Sequence, residues 1–298
     1  MTTAAPASAA PSSALLPALA LGATILTWAT AFPAIRLALR EVEPLALASL
    51  RFAIGALLAL LWLAFRRPPR MPARDIAFAA LCGLIATAGY GIFLNLGAQT
   101  VSAGAASFLV KIESLVMAGL AVLLLKEHFN GWAWLGALIA MGGVGAIASH
   151  QPGGISFGAG AILVLAAACC SATGFVLQRP LIGRYGALSI TAIGLIAAAL
   201  ALSPWLPGGV EQALAAPPAT IGWILFLGLL PTTVGMLCWN IALGHFGAAR
   251  AGTALYLVAP LATLLAWPLS GETPAWSTLA GGAAVLGGVL LVNTLGKR

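Results

Sequence analysis

Charge is what this chain lacks most. Asp, Glu, Lys and Arg make up 7% of its 298 residues, against 61% that are hydrophobic. A soluble domain carries about 25% charged residues. Charge this sparse cannot clothe a water-exposed surface, so a soluble enzyme or binding module is excluded and an integral membrane protein is expected. The basic surplus, 14 Lys and Arg against seven Asp and Glu, is not a nucleic-acid footprint. The basic residues are scattered over short connections and form no face that could hold a phosphate backbone. Cysteine and histidine are scarce too. Cys82, Cys169, Cys170 and Cys238 lie inside apolar runs and read as small buried side chains, not as a disulfide framework or a metal site. His128, His150 and His245 fall in connections. There is no HExxH, no Walker A motif and no Gly-x-Ser-x-Gly elbow, so no catalytic set, metal set or cofactor box is expected.

What the chain has instead is long apolar runs. A helix needs roughly 20 apolar residues to cross a bilayer. Ten candidates follow, at about 15–36, 44–65, 75–97, 103–125, 131–149, 157–178, 186–204, 219–241, 249–269 and 275–295. The connections are short. The longest, 205–218, reads as a loop with one amphipathic turn. Residues 1–14 are rich in Ala, Ser and Pro without Lys or Arg, so they read as a disordered cytoplasmic tail and not as a cleaved signal. With the N-terminus inside, the inner segments hold ten basic residues, namely Arg66, Arg67, Arg70, Arg74, Lys126, Arg179, Arg184, Arg250, Lys297 and Arg298, and the outer ones hold Arg36 and Arg40. That bias places both termini in the cytoplasm.

The chain also repeats itself. AGAASFLV (103–110) resembles AGTALYLV (251–258). Counted from Glu127 and from Glu272, Gly136 matches Gly281 and Gly142–Gly143 matches Gly287–Gly288. Residues 15–150 and 151–298 thus form two five-helix units joined near the turn-rich SHQPGGI (150–156). An odd number of spans inverts the second unit. Inverted repeats are the architecture of many secondary transporters, with a site near the midplane between them.

Two ionisable residues stand inside the fourth run, Lys111 and Glu113. A charge at membrane depth is costly and usually lines a pathway or pairs with another charge. On a regular helix Lys111 shares its face with Gly104, Ser107, Ser114 and Ala118. That small, hydroxylated face suits a polar cavity in which the ammonium holds a carboxylate. It equally suits close helix packing with Lys111 paired to Glu113 or a carbonyl. Glu113 lies about 200° round the same helix; Arg51 in the second span is the partner expected for it, as a structural ion pair, with substrate-amine binding or proton coupling as the alternatives. Trp28, Tyr90, Trp239, Asn240 and Tyr256 are the further candidates for a cavity lining. Pro33 can kink the first helix, and Pro260 can open the ninth. The double glycines at 142–143 and 287–288 suit a close helix–helix contact.

These residues resemble the drug/metabolite transporter superfamily, in particular its EamA-type ten-helix metabolite exporters. The match is clearest over 222–272, through Thr232, Trp239, Asn240, Ala242, Ala249, Arg250, Pro260 and Glu272. The first half matches through Trp28, Arg51 with Phe52, Glu113 and Glu127. The pattern departs in three places: Ser114 follows Glu113 where the family usually has Pro, Lys126 stands where it usually has Gly, and Lys111 is outside the general pattern. The resemblance implies a basket of ten helices round a central cavity, with the third, fourth, eighth and ninth near the path. Within the family the chain is similar to the amino-acid exporters, aromatic amino acids included. The expectation is a multi-pass exporter of amino acids or related small metabolites in the cell inner membrane, a monomer or homodimer working by alternating access. Cationic drugs or sugar-like metabolites are the alternative cargo. A lipid-modifying membrane enzyme is the reading from another class, and it lacks the polar surface cluster it would need.

Overall fold

The structure, a computed structural model, describes residues 14–66, 68–97, 109–149, 159–270 and 276–297. The tail at 1–13, the joint at 150–156, Ser107, Phe108 and Glu272 lie outside them. The described residues contain helices and no strand. In chain order these are α1 (Leu15–Ala38), α2 (Pro44–Phe65), α3 (Ala73–Gly83), α4 (Tyr90–Gly97), α5 (Ile112–Leu125), α6 (Gly131–Ser149), α7 (Ala159–Tyr185), α8 (Ala187–Ala201), α9 (Leu206–Ala215), α10 (Pro218–Leu227), α11 (Met236–Phe246), α12 (Ala248–Ala254), α13 (Val258–Ser270) and α14 (Trp276–Thr294). Among the described residues four helical runs are long and apolar enough to cross a membrane, Pro44–Phe65, Ala73–Leu94, Gly160–Tyr185 and Pro218–Phe246. The pair Ala187–Ala201 and Ser203–Ala215, bent by 56°, adds a fifth if counted as one span. The connection expected to be a loop at 205–218 is therefore mostly helix. Its Gly209 packs against Ala46, Ser49 and Leu50 of α2, and Gln212 accepts a hydrogen bond from the Glu43 amide at 2.8 Å.

Prolines and glycines set the joints. Pro44 and Pro218 stand in the first turns of their helices, where the missing N–H costs nothing. Gly186 (φ +82°) and Gly247 (φ +84°) separate α7 from α8 and α11 from α12. Two π-helical segments interrupt the long runs, Leu84–Gly89 between α3 and α4 and Gly228–Gly235 between α10 and α11. The second contains Pro231, which lacks the donor a regular turn requires. Such segments often mark functional sites. Pro260 offers no N–H to the carbonyl of Tyr256, four residues before it, and its ring crowds that carbonyl. The change of winding lies before it, in the 3₁₀ turn Leu255–Leu257, and Pro260 falls in the first turn of α13. Helix α1 runs unbroken through the backbone of Pro33, whose side chain lies outside the described set.

Glycine also sets close contacts between the two halves. A Cβ on Gly136 would stand 2.6 Å from the Gly288 carbonyl, and one on Gly143 would stand 2.5 Å from the Gly281 carbonyl. Helices α6 and α14 thus touch backbone to backbone and run antiparallel. The pairing is reciprocal: Gly136 and Gly281 hold the same place in the repeat, as do Gly143 and Gly288, and each meets the other's counterpart. Gly142 and Gly287 meet nothing within 4 Å, so only one glycine of each double pair makes the contact. Where lipid surrounds helices, small residues permit the close packing that holds them together.

Candidate functional site

Lys111 and Glu113 meet each other. Lys111 Nζ lies 3.8 Å from Glu113 Oε1, and both side chains are about 5% exposed. The expected partner, Arg51, donates its Nε to Thr232 Oγ1 at 3.2 Å, in the second π-segment. The reason lies in the backbone. Residues two apart on a regular helix do not face each other, but Lys111 is a turn residue just ahead of α5, and its carbonyl accepts from the Ser114 amide at 3.1 Å. That tighter i to i+3 winding removes the 200° separation a continuous helix would impose. Ser171 on α7 reaches Glu113 with its hydroxyl. The small-residue face behind the pair, Ser114 and Ala118, is wholly buried.

Other polar groups surround this pair. Tyr90, the first residue of α4, lies within electrostatic range of both Arg51 and Glu113. The Tyr256 hydroxyl stands beside that of Ser114, yet neither closes a hydrogen bond of normal geometry among the described residues. Buried hydroxyls without partners are uncommon, and these two adjoin the only ion pair found inside the core among the described residues. Beside them is an aromatic group. Trp239 stacks obliquely on Trp28 (5.7 Å between ring centroids) and Phe175 (5.3 Å). Trp28 Nε1 donates to the Pro231 carbonyl of the π-segment at 3.1 Å. Trp239 Nε1 has no hydrogen-bond partner among the described residues. Trp28, Met117, Phe175, Trp239 and Tyr256 all belong to one continuous apolar cluster.

Asn240 lines a small cavity with Gln178 and Thr191. Its buried amide accepts from Gln178 Nε2 at 2.8 Å and donates to Thr191 Oγ1 at 2.8 Å. Thr191 in turn donates to the Ala187 carbonyl. This relay ties α7, α8 and α11 together. The cavity beside it is about 10 Å³, room for one water at most. Trp239 and Tyr256 are likewise fully enclosed, so any ligand must enter by parting these helices.

Glu127 is a residue whose role the sequence did not disclose. Its carboxylate accepts from the amides of Ala248 (2.9 Å) and Ala249 (3.0 Å) at the start of α12, and Arg179 Nη1 stands 3.1 Å away. One side chain of the first half thus caps a helix of the second. A Cβ on Gly247 would come 2.8 Å from this carboxylate, so glycine is needed there for space as well as for its positive φ. Lys126, just before it, takes the left-handed conformation (φ 53°) that closes α5. Its neighbour's amide, Glu127 N, bonds back to the Ala121 carbonyl. No group of three or more potential metal ligands occurs among the described residues.

The model of the EamA-like transporter family matches this chain twice, over residues 15–149 and 158–294. A relative from Streptantibioticus cattleyicolor named a probable terminal-alkyne amino-acid exporter is 37% identical over 94% of this chain and 94% of its own. A probable amino-acid metabolite efflux pump of Salmonella typhimurium is 24% identical over 92% of this chain and 93% of its own. A crystal structure superposes with TM-score 0.77 at 21% identity, covering 95% of this chain and 98% of that one, which shows a shared fold. The chain belongs to the EamA-like transporter family, and it is a transporter and not an enzyme.

Proposed function

We propose that this EamA-family transporter exports amino acids, hydrophobic and aromatic ones included, across the inner membrane by alternating access. The observation that carries this is the enclosed Lys111–Glu113 pair. An amino acid is a zwitterion with the same two charges. Its carboxylate can take Lys111 while its ammonium takes Glu113, so one internal pair becomes two pairs to substrate and the net charge of the site does not change. That matters because an unpaired charge in such a place is strongly disfavoured. Ser114, Ser171 and Tyr256 are placed to complete the hydrogen bonds of a carboxylate or ammonium. The aromatic group of Trp28, Phe175 and Trp239 offers an apolar wall for the side chain. A cation exporter would want an acidic residue without a partner, and Glu113 has one.

The mechanism rests on two inverted five-helix units. The reciprocal contacts Gly136–Gly288 and Gly143–Gly281 support that relation, because equivalent helices packing antiparallel about a two-fold axis is what inversion requires. The π-segments at corresponding places in the two halves support it too. Rocking of one unit on the other, with the glycine seam as pivot, exposes the pair to each side in turn. The two relatives, named as amino-acid exporter and amino-acid metabolite efflux pump, point to the same class of cargo.

The test is transport by proteoliposomes loaded with L-phenylalanine, phenethylamine (no carboxylate) or 3-phenylpropionate (no ammonium). Saturable efflux of phenylalanine alone is expected. Efflux of the amine at the same rate would replace this reading with a cation exporter, and efflux of none of the three would remove the amino-acid assignment.

A further inference from the structure

We infer that the groove between α3 and the C-terminal end of α7 is a binding site for an anionic phospholipid. The groove has a volume of about 570 Å³. Its walls are Phe78 and Leu81 of α3 and Leu177 and Leu181 of α7, and its mouth carries Arg74 and Arg184. Both arginines are exposed, and neither has an ion pair among the described residues. The acidic residue at the mouth, Asp75, accepts a hydrogen bond from the Tyr185 hydroxyl and forms no ion pair with either arginine among the described residues. Pro180 lines the same groove and presents no amide N–H to it.

A bilayer lipid with a phosphate on an acyl chain matches this arrangement in both its parts. The two arginines lie at the start of α3 and at the end of α7, so they stand at one level along the bundle while the apolar walls run inward from them. Arginine binds phosphate oxygens bidentately, with two parallel hydrogen bonds. Basic pockets between spanning helices are a recurrent way of holding anionic headgroups. A soluble anion would satisfy the arginines and leave the apolar walls unused. This groove is separate from the Lys111–Glu113 site, so the inference does not depend on the transport reading.

The experiment is native mass spectrometry of the full-length protein from detergent, offered equal phosphatidylglycerol and phosphatidylcholine of the same chain length. Wild type should retain phosphatidylglycerol in preference to phosphatidylcholine. Arg74→Ala with Arg184→Ala should lose that preference by about ten-fold, and Arg74→Lys with Arg184→Lys should keep most of it. Leu81→Trp, which fills the groove and leaves the charge intact, should lower the retention of both lipids. Arg66→Ala with Arg70→Ala, outside the groove, should leave the preference unchanged. Equal retention of the two lipids by wild type would overturn the inference. So would an equal loss in the Arg66 and Arg70 variant, or displacement of the bound lipid by inorganic phosphate alone.

Discussion

Lys111 Nζ stands 3.8 Å from Glu113 Oε1, two residues away along the chain, with both side chains shut inside the protein. Removing one partner leaves an uncompensated buried charge at a cost of about 3–5 kcal/mol, whereas replacing both with apolar residues of similar volume is often neutral. Lys111→Met alone and Glu113→Leu alone should therefore each lower the thermal midpoint and the monodisperse yield sharply. The double variant should recover both, as read by fluorescence-detected size exclusion after heating. Additive losses in the double variant would mean the two groups do not act as a pair.

The glycine seam gives a positional test. Gly136→Ala and Gly143→Ala each drive a Cβ into a carbonyl of α14, and such overpacking costs about 1–3 kcal/mol. Gly142→Ala and Gly287→Ala point into open space and should behave as wild type. Urea or thermal midpoints of the four variants separate these outcomes. Equal sensitivity at all four positions would contradict the seam.

Glu127 joins the halves through two amides and Arg179. Hydrogen bonds to a charged acceptor contribute about 1.5–3 kcal/mol. Glu127→Ala should lose stability on that scale, and Glu127→Gln, which keeps one acceptor oxygen, should lose less. Hydrogen exchange should rise at Ala248 and Ala249 in the alanine variant. Unchanged protection at those two amides would show that the cap does not hold α12.

Lys126 sits in a left-handed conformation at φ 53°, which costs a non-glycine residue about 1–2 kcal/mol. Lys126→Gly should raise the thermal midpoint and Lys126→Val should lower it.

Much of this fold can be read along the chain, and the parts that cannot have a common cause. The apolar runs and the matching glycines at 136, 143, 281 and 288 are local or periodic signals, and they survive into helices and a contact. A regular helix turns Lys111 away from Glu113, and nothing in VKIESL (110–115) announces the turn at Lys111, so the sequence offers their pairing only as the packing alternative and sets Glu113 against Arg51. In the structure Arg51 is bonded to Thr232, 181 positions away. Asn240 drew attention as a polar residue in an apolar helix, but Gln178 and Thr191, which consume its amide, are 62 and 49 positions distant. Glu127 and Ala248 are 121 apart. Pairings of this kind arise from tertiary packing and leave no spacing to recognise. The π-segment at 228–235 had one visible sign, Pro231 within an otherwise helical run.

The most direct test of the central claim is counterflow of L-phenylalanine in proteoliposomes made with the Lys111→Met, Glu113→Leu double variant, after its thermal midpoint has been matched to wild type. The expected result is a folded protein that exchanges no phenylalanine above empty vesicles. Exchange at the wild-type rate by that folded variant would show that the pair does not hold the substrate, and the proposed site would have to lie elsewhere in the bundle.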